Sequence, residues 1–317
     1  MRSTILFLLS LPILFSCSGQ DELSDSPGNP EEIPAGVSKV VFRSNDQASR
    51  RVYIFRKEGN EFRYNSTIDN GWSADGKMTT RLLLGEYKFL FTLPSGKGLD
   101  VLPTPLDNTV TWEDLYFAAK ADPDNTQRIL PVEELFLPAP AVADSVYTIR
   151  GRDEIKCTLT RRVSQVEFIL KRGYKEGETY VSQPYASGSN ILDRVKEFEV
   201  EISGVARECN YAKTSGEAKM QQTYKADDKS DIDSAGFATF TGPFVFPPAD
   251  NSEINLNVTL VSVTGASYKP LSLKGKLEAN RKLIVTLWIN PPVFDVKVTF
   301  HTEAITKRTD GDSGRWE

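Results

Sequence analysis

The chain has 317 residues, 26% of them charged and 39% hydrophobic, and a formal net charge of −5. A phosphate-binding surface needs clustered Lys and Arg, so this balance argues against nucleic acid as a partner and offers no electrostatic attraction to an anionic bilayer. With one histidine, His301, a two-His or three-His zinc site is excluded by count and any Ser/His or Cys/His nucleophile would have to use that residue; no cofactor, no metal and no enzyme activity are expected.

At the N-terminus Arg2 supplies a positive start, and Ile5 to Phe15 an apolar core broken by Ser10 and Pro12. Polarity returns at Ser16, well short of the ~20 apolar residues a membrane span needs, so residues 1–16 are expected to be removed. The run Leu14, Phe15, Ser16, Cys17 resembles a bacterial lipoprotein signal, which implies cleavage between Ser16 and Cys17 and acyl chains (palmitate among them) on Cys17; an ordinary secretory signal with Cys17 incidental is the alternative. Residues 17–36 read as a flexible acidic linker, because between Ser18 and Pro34 only Leu23 and Ile33 are large and apolar, too few to offset ordering entropy. Asp21 and Glu22 resemble the short acidic export signals of Bacteroidetes-type surface lipoproteins.

From Val37 onward, short alternating runs are separated by turn residues. Val37 to Phe42, Val52 to Phe55, Phe62 to Ile68, Lys77 to Leu84 and Glu86 to Leu93 have strand length and β-rich composition. Turns are expected at Glu58, Gly59, Asn60, at Asp69, Asn70, Gly71, and as a tight reversal at Leu84, Gly85, Glu86. Such spacing predicts an antiparallel sandwich for residues 37–152, including a long proline-rich connection from Val101 to Ala143 with helical turns at Glu113 to Ala119 and Val132 to Leu135.

A second sandwich is expected over 153–317. Its strands are Ile155 to Leu159, Val163 to Leu170, Phe198 to Ile202, Phe237 to Phe240, Ile254 to Val263, Leu271 to Leu277 and Leu283 to Ile289, with Tyr174 to Asn190 and Ala212 to Ser234 as polar hairpin loops. Cys157 and Cys209 permit one disulfide, yet each also reads as a buried small hydrophobe. After Pro291 and Pro292, the residues Phe294, Val296, Val298 and Phe300 alternate with Asp295, Lys297 and Thr299. That amphipathic run is the last strand of the second sandwich or a strand offered to a neighbouring subunit. The tail from Thr306 to Glu317 reads as mobile.

Other chemistry finds little purchase. Ser95, Gly96, Lys97, Gly98 lacks phosphate-loop spacing, and neither Asp227, Asp228, Asp231, Asp233 nor Asp310, Asp312 is completed by a bidentate Glu as a calcium loop requires. Trp72, Trp112, Tyr116 and Phe117 are candidates for a sugar-binding groove, with a sandwich core as the competing reading.

Four runs carry a family resemblance. Arg51 to Phe55 followed by Gly59, Leu84 to Leu90, Cys157 to Val166, and Asn280 to Ile289, in this order behind Cys17, resemble the Bacteroidetes-type fimbrial anchor and fimbrillin family of type V pili over nearly the whole mature chain. The resemblance implies two transthyretin-like β-sandwich domains, an outer-membrane cell-surface lipoprotein held by its acyl chains, and fimbrillin pilus subunits as partners in adhesion. It also implies assembly by strand complementation, in which an extended segment of one subunit completes the sheet of another. Stalk subunits of the family lose their first strand by cleavage after an arginine, whereas anchors keep it; the processing candidates here are Arg43, Arg50 and Arg51. The strand-exchange candidates are Val37, Val40 and Phe42 at one end and Phe294, Val296, Val298 and Phe300 at the other. A carbohydrate-binding surface lipoprotein of a glycan-uptake system is the rival reading.

Overall fold

A computed structural model describes residues 35–44, 50–93, 98–151, 153–225, 231–267, 271–290 and 295–305. Cys17, its signal peptide, Asp227, Asp228, Phe294 and the tail from Thr306 lie outside the described residues. Strand structure dominates throughout, as the alternation of apolar and polar residues dictates.

The first five strands are β1 (Val37–Ser44), β2 (Arg51–Glu58), β3 (Glu61–Ile68), β4 (Lys77–Leu83) and β5 (Gly85–Thr92). They match the five expected runs. Strands β2 and β3 form the hairpin that Gly59 predicts, with Gly59 at φ 64°, the left-handed conformation that such a turn needs. The reversal at Gly85 is of another kind. Strand β4 pairs with β1 while β5 pairs with β2, so the chain crosses from one sheet to the other there, at φ 150°, a conformation open to glycine alone.

The connection holds β6 (Leu99–Leu102), β7 (Tyr116–Ala119), β8 (Ala121–Asp122), β9 (Asn125–Ile129), β10 (Phe136–Leu137), a short helix at Pro140–Ala143, and β11 (Tyr147–Ile149). Helical turns at Glu113 to Ala119 and Val132 to Leu135 are not what forms: one 3-10 turn, Trp112–Asp114, precedes strand β7, and Val132 makes an isolated bridge to Phe244. Tertiary pairing overrides the local helical preference at both places.

The remainder comprises β12 (Asp153–Cys157), β13 (Thr160–Arg161), β14 (Ser164–Glu176), β15 (Thr179–Ser182), β16 (Val195–Cys209), β17 (Thr214–Lys225), β18 (Asp231–Ile232), β19 (Ala238–Val245), β20 (Glu253–Ser262), β21 (Leu271–Lys276), β22 (Arg281–Asn290) and β23 (Asp295–Ala304). One correction concerns Ala212 to Ser234. It is no loop: β17 runs along β16 for most of its length, and Ala218, Met220 and Tyr224 turn inward from a strand whose other face is polar. That sparse apolar set is what made the segment read as an insertion.

Four larger sheets result. A three-stranded sheet in the order β12-β1-β4 faces a four-stranded sheet in the order β11-β5-β2-β3. Val40, Phe42, Met78, Leu82, Ile155 and Cys157 from the first meet Val52, Ile54, Tyr87, Phe89, Phe91 and Ile149 from the second. The Phe42 ring lies edge-on to Phe89 and Phe91, at 5.1 and 5.5 Å between centroids. The second pair comprises a six-stranded sheet with the path β18-β19-β14-β22-β23, where β15 pairs the end of β14, and an eight-stranded sheet with the path β21-β20-β16-β17-β9-β8. Phe168, Phe198, Tyr224 and Phe240 interlock between these two.

Two pairings cross the expected order. Strand β12 runs parallel beside β1, and β6 and β7 extend the eight-stranded sheet through the pairing of β7 with β16. The outer face of the β2-β5 layer is consequently covered: Phe55 meets Trp112 edge-on at 5.1 Å, Tyr53 meets Phe117 at 6.0 Å, and Trp112 packs on Tyr211 at 4.9 Å.

Candidate assembly surface

Strand β1 is the centre of its sheet. It pairs antiparallel with β4 from Val37 opposite Leu83 to Arg43 opposite Lys77, and parallel with β12 from Val40 opposite Asp153 to Ser44 opposite Cys157. The alternating sequence turns Ser38, Val40, Phe42 and Ser44 inward and leaves Val37, Lys39, Val41 and Arg43 on the other face. Val40 and Phe42 are 0% exposed. Ser38 donates through its hydroxyl to Asp153 Oδ2 at 3.3 Å, and the Ser44 amide donates to the Gly76 carbonyl at 2.8 Å.

Arg43, Arg50 and Arg51 occupy three different settings. Arg43 pairs with Glu154 at 2.9 Å on the outer face, and Arg51, at the start of β2, pairs with Asp69 at 3.4 Å. Arg50 is 1% exposed, and its carbonyl accepts the Trp72 indole N–H at 2.7 Å. Sequence reading did not foresee Asp153 and Glu154 as partners of β1, because nothing local marks a strand for parallel pairing with one more than a hundred residues earlier.

At the other end, β23 pairs antiparallel with β22 from Asn290 opposite Asp295 to Arg281 opposite Ala304. It lies at the edge of its sheet, and no strand among the described residues pairs with its other side. Val296 and Val298 are half-buried against the larger core, while Phe300 is 38% exposed. The strand ends under a clasp: Arg161 donates to Asn280 Oδ1 at 3.0 Å and to the Ile305 carbonyl at 3.2 Å, and pairs with Glu134 at 2.7 Å.

The remaining sequence candidates separate from any common site. Cys157 and Cys209 are free and buried, each in a different core cluster, so no disulfide joins them. Burial pushes the Cys209 thiol above its ordinary pKa, with Arg162 opposing the shift. His301 Nε2 lies 3.0 Å from Glu303 Oε1, both side chains half-exposed to water, which gives neither a buried base nor an oriented one. Among the described residues no cluster of His, Cys, Asp or Glu could hold a metal, and no helix is long and apolar enough to cross a membrane. Trp112 and Phe117 belong to the core at 1% and 0% exposed, and Trp72 is half-buried against the smaller core. These aromatics therefore form no open groove.

An all-β chain of facing sheets, with its first strand lodged mid-sheet and its last at an edge, is of the fimbrial and adhesin-like class of surface proteins. Its similar solved structures include the fimbrial anchor protein Mfa2 from Porphyromonas gingivalis, at 12% identity and TM-score 0.52 over 84% of this chain and 98% of that one. A provisionally assigned adhesin from Bacteroides ovatus aligns at 10% identity and TM-score 0.52 over 86% and 97%, respectively. A Bacteroides thetaiotaomicron protein with a provisional polysaccharide-binding assignment aligns at 9% identity and TM-score 0.53 over 85% and 99%. The model of the fimbrillin-A associated anchor proteins Mfa1 and Mfa2 matches residues 48–304, and the chain belongs to that family. A sequence search of curated proteins finds no match.

Proposed function

We propose that this chain is a lipid-anchored subunit that holds a fimbrium to the outer membrane. In this reading the signal is cut between Ser16 and Cys17, acyl chains on Cys17 enter the bilayer, and two transthyretin-like sandwiches, 37–152 and 153–317, stand on the acidic leash. Fimbrillin subunits join by β-strand complementation.

The observation that carries the reading is the position of β1. A strand paired on both sides, with Val40 and Phe42 fully buried, closes the sheet that a processed stalk subunit would leave open. Proteolysis needs several residues of extended chain in the protease cleft, so cutting at Arg50 or Arg43 requires local opening of this folded region. Retention of β1, and with it the link to Cys17, follows. The exchanged segment is then better sought at β23, whose outer edge is open and whose Val296, Val298 and Phe300 alternate as pocket-filling side chains do.

Filaments sheared from cells carrying the wild-type chain or Cys17→Ala test this. The wild-type chain should remain at the cell end of the filament and take up labelled palmitate. Cys17→Ala should lose the label and release filaments into the medium with the subunit still attached. Absence of the chain from filaments in both strains would sink the proposal.

A further inference from the structure

Trp288 sits at the wrong phase of its strand to serve the core. Along β22, Leu283, Val285, Leu287 and Ile289 turn into the large hydrophobic cluster, and Trp288 turns outward with Thr286 and Asn290. There it faces a pocket of about 310 Å³, at the small end of the ~300–1,000 Å³ typical of ligand sites, lined also by Tyr174, Lys175, Tyr180, Asn290 and Lys297. Among the described residues that line it, none is acidic.

The aromatic floor is held in place by its surroundings. Tyr180 of β15 stacks on Trp288 with centroids 5.3 Å apart and planes 18° from parallel. The Trp288 indole N–H donates to Thr299 Oγ1 at 3.1 Å, and Lys171 Nζ lies 5.5 Å from the ring centroid. Gly173 completes the seat. A Cβ there would fall 2.8 Å from the Trp288 ring and 2.5 Å from the Val181 carbonyl oxygen, so only glycine lets the indole lie against the strand. Orientation without a ligand lowers the ordering cost of binding one.

We propose that this outer face of the six-stranded sheet binds a carboxylate-bearing saccharide, with Trp288 and Tyr180 as the stacking platform and Lys175, Lys297 and Asn290 as its polar contacts. The apolar face of a pyranose ring matches an exposed aromatic edge and face, gaining dispersion and apolar burial. A uronic acid adds a carboxylate, which the lysines of an otherwise acidic-poor pocket attract through charge-assisted hydrogen bonds. A neutral sugar would leave that local positive charge unused, and a long polyanion would meet a chain of net charge −5. The site is independent of filament assembly, since it lies on the outward face of β14, β15, β22 and β23 and uses none of the residues assigned to strand exchange.

The test is isothermal titration of the full chain with a galacturonic acid trisaccharide, alongside the matching neutral galactose trisaccharide and a single-stranded oligouridylate. We expect the acidic trisaccharide to bind, its affinity to fall as salt rises, and the double variant Lys175→Gln, Lys297→Gln to bind it roughly tenfold or more weakly, about 1.4 kcal/mol. Both lysines are exposed, so that variant keeps the fold, which an unchanged melting temperature verifies. Trp288→Ala should lose binding altogether. The proposal is overturned by no binding of the acidic trisaccharide, by equal binding of the neutral one, by preferential binding of the oligouridylate, or by full affinity in the double variant.

Discussion

The first and last described strands, β1 and β23, have the same alternating pattern and opposite structural roles. Strand β1 forms two ladders, one with β4 and one with β12, and its inward side chains are fully buried. Strand β23 forms one ladder, with β22, and its inward side chains are half-buried. A strand with two ladders leaves only if something equivalent replaces it, because both neighbours would otherwise expose unpaired backbone groups. A strand with one ladder and an open edge can instead add a partner or be peeled from one side. The contrast separates retention at one end of the chain from exchange at the other, and it rests on pairing geometry, since composition hardly differs between the two.

The largest expected effect lies at Phe42. Truncation to Ala removes a ring that touches Phe89 and Phe91 and leaves a cavity between the two sheets, at a cost of about 3–5 kcal/mol. Urea unfolding monitored by tryptophan fluorescence measures it, and a cost near zero would mean that β1 is not integral. Next comes Arg161→Met, which frees the end of β23 by removing the bonds to Asn280 and Ile305 and the pair with Glu134. Hydrogen bonds to a charged group suggest about 2–3 kcal/mol, with hydrogen exchange rising first in β23 amides. Phe300→Ser, at a 38% exposed position, should cost no more than about 0.5–1 kcal/mol. If Phe300 proved as costly as Phe42, the distinction between the two strands would fail.

How far the sequence announced this contrast depends on which link is asked. Alternation located β1, β2, β3, β4 and β5, and the run from Val296 to Phe300, because a period of two is written directly into side-chain polarity. It could not say which strand lies beside which. Ile155 to Cys157 alternates as an opening strand of the second half should, yet it completes the sheet of β1, since parallel pairing requires only that the intervening chain return to the right place. Val101 to Ala143 read as a connection because its strands are short and interrupted by proline, and they are stable only through neighbours such as β16. Trp288 was hidden for a related reason: an aromatic residue inside an apolar run reads as core until its phase relative to the sheet is known. Cys157 and Cys209 show the same limit, since sequence allows a bond that separation in space forbids.

The smallest predicted effect probes the sheet of β1 from its turn. Between β3 and β4, Ser73 donates to Asp75 at 2.6 Å and Lys77 pairs with the same carboxylate. Those contacts, Lys77 first and Ser73 next, hold the Asp75 carboxyl below its ordinary value. A lowered folded pKa means that the unfolded chain binds the proton more readily, so the stabilisation is complete above the unfolded value near ~3.9 and is lost as pH falls through the folded one. Asp75 is fully exposed, and the contribution is correspondingly screened. Asp75→Asn should therefore speed hydrogen exchange at the β3–β4 turn and the adjoining end of β4 at pH 6, and the difference from wild type should vanish toward pH 2. Raising the salt to 1 M should shrink it as well. Because Lys77 lies opposite Arg43 in the β4–β1 ladder, a change that spread along β4 into β1 would mean that the turn guards the first strand. Confinement to the turn would leave that task to the buried face of Val40 and Phe42.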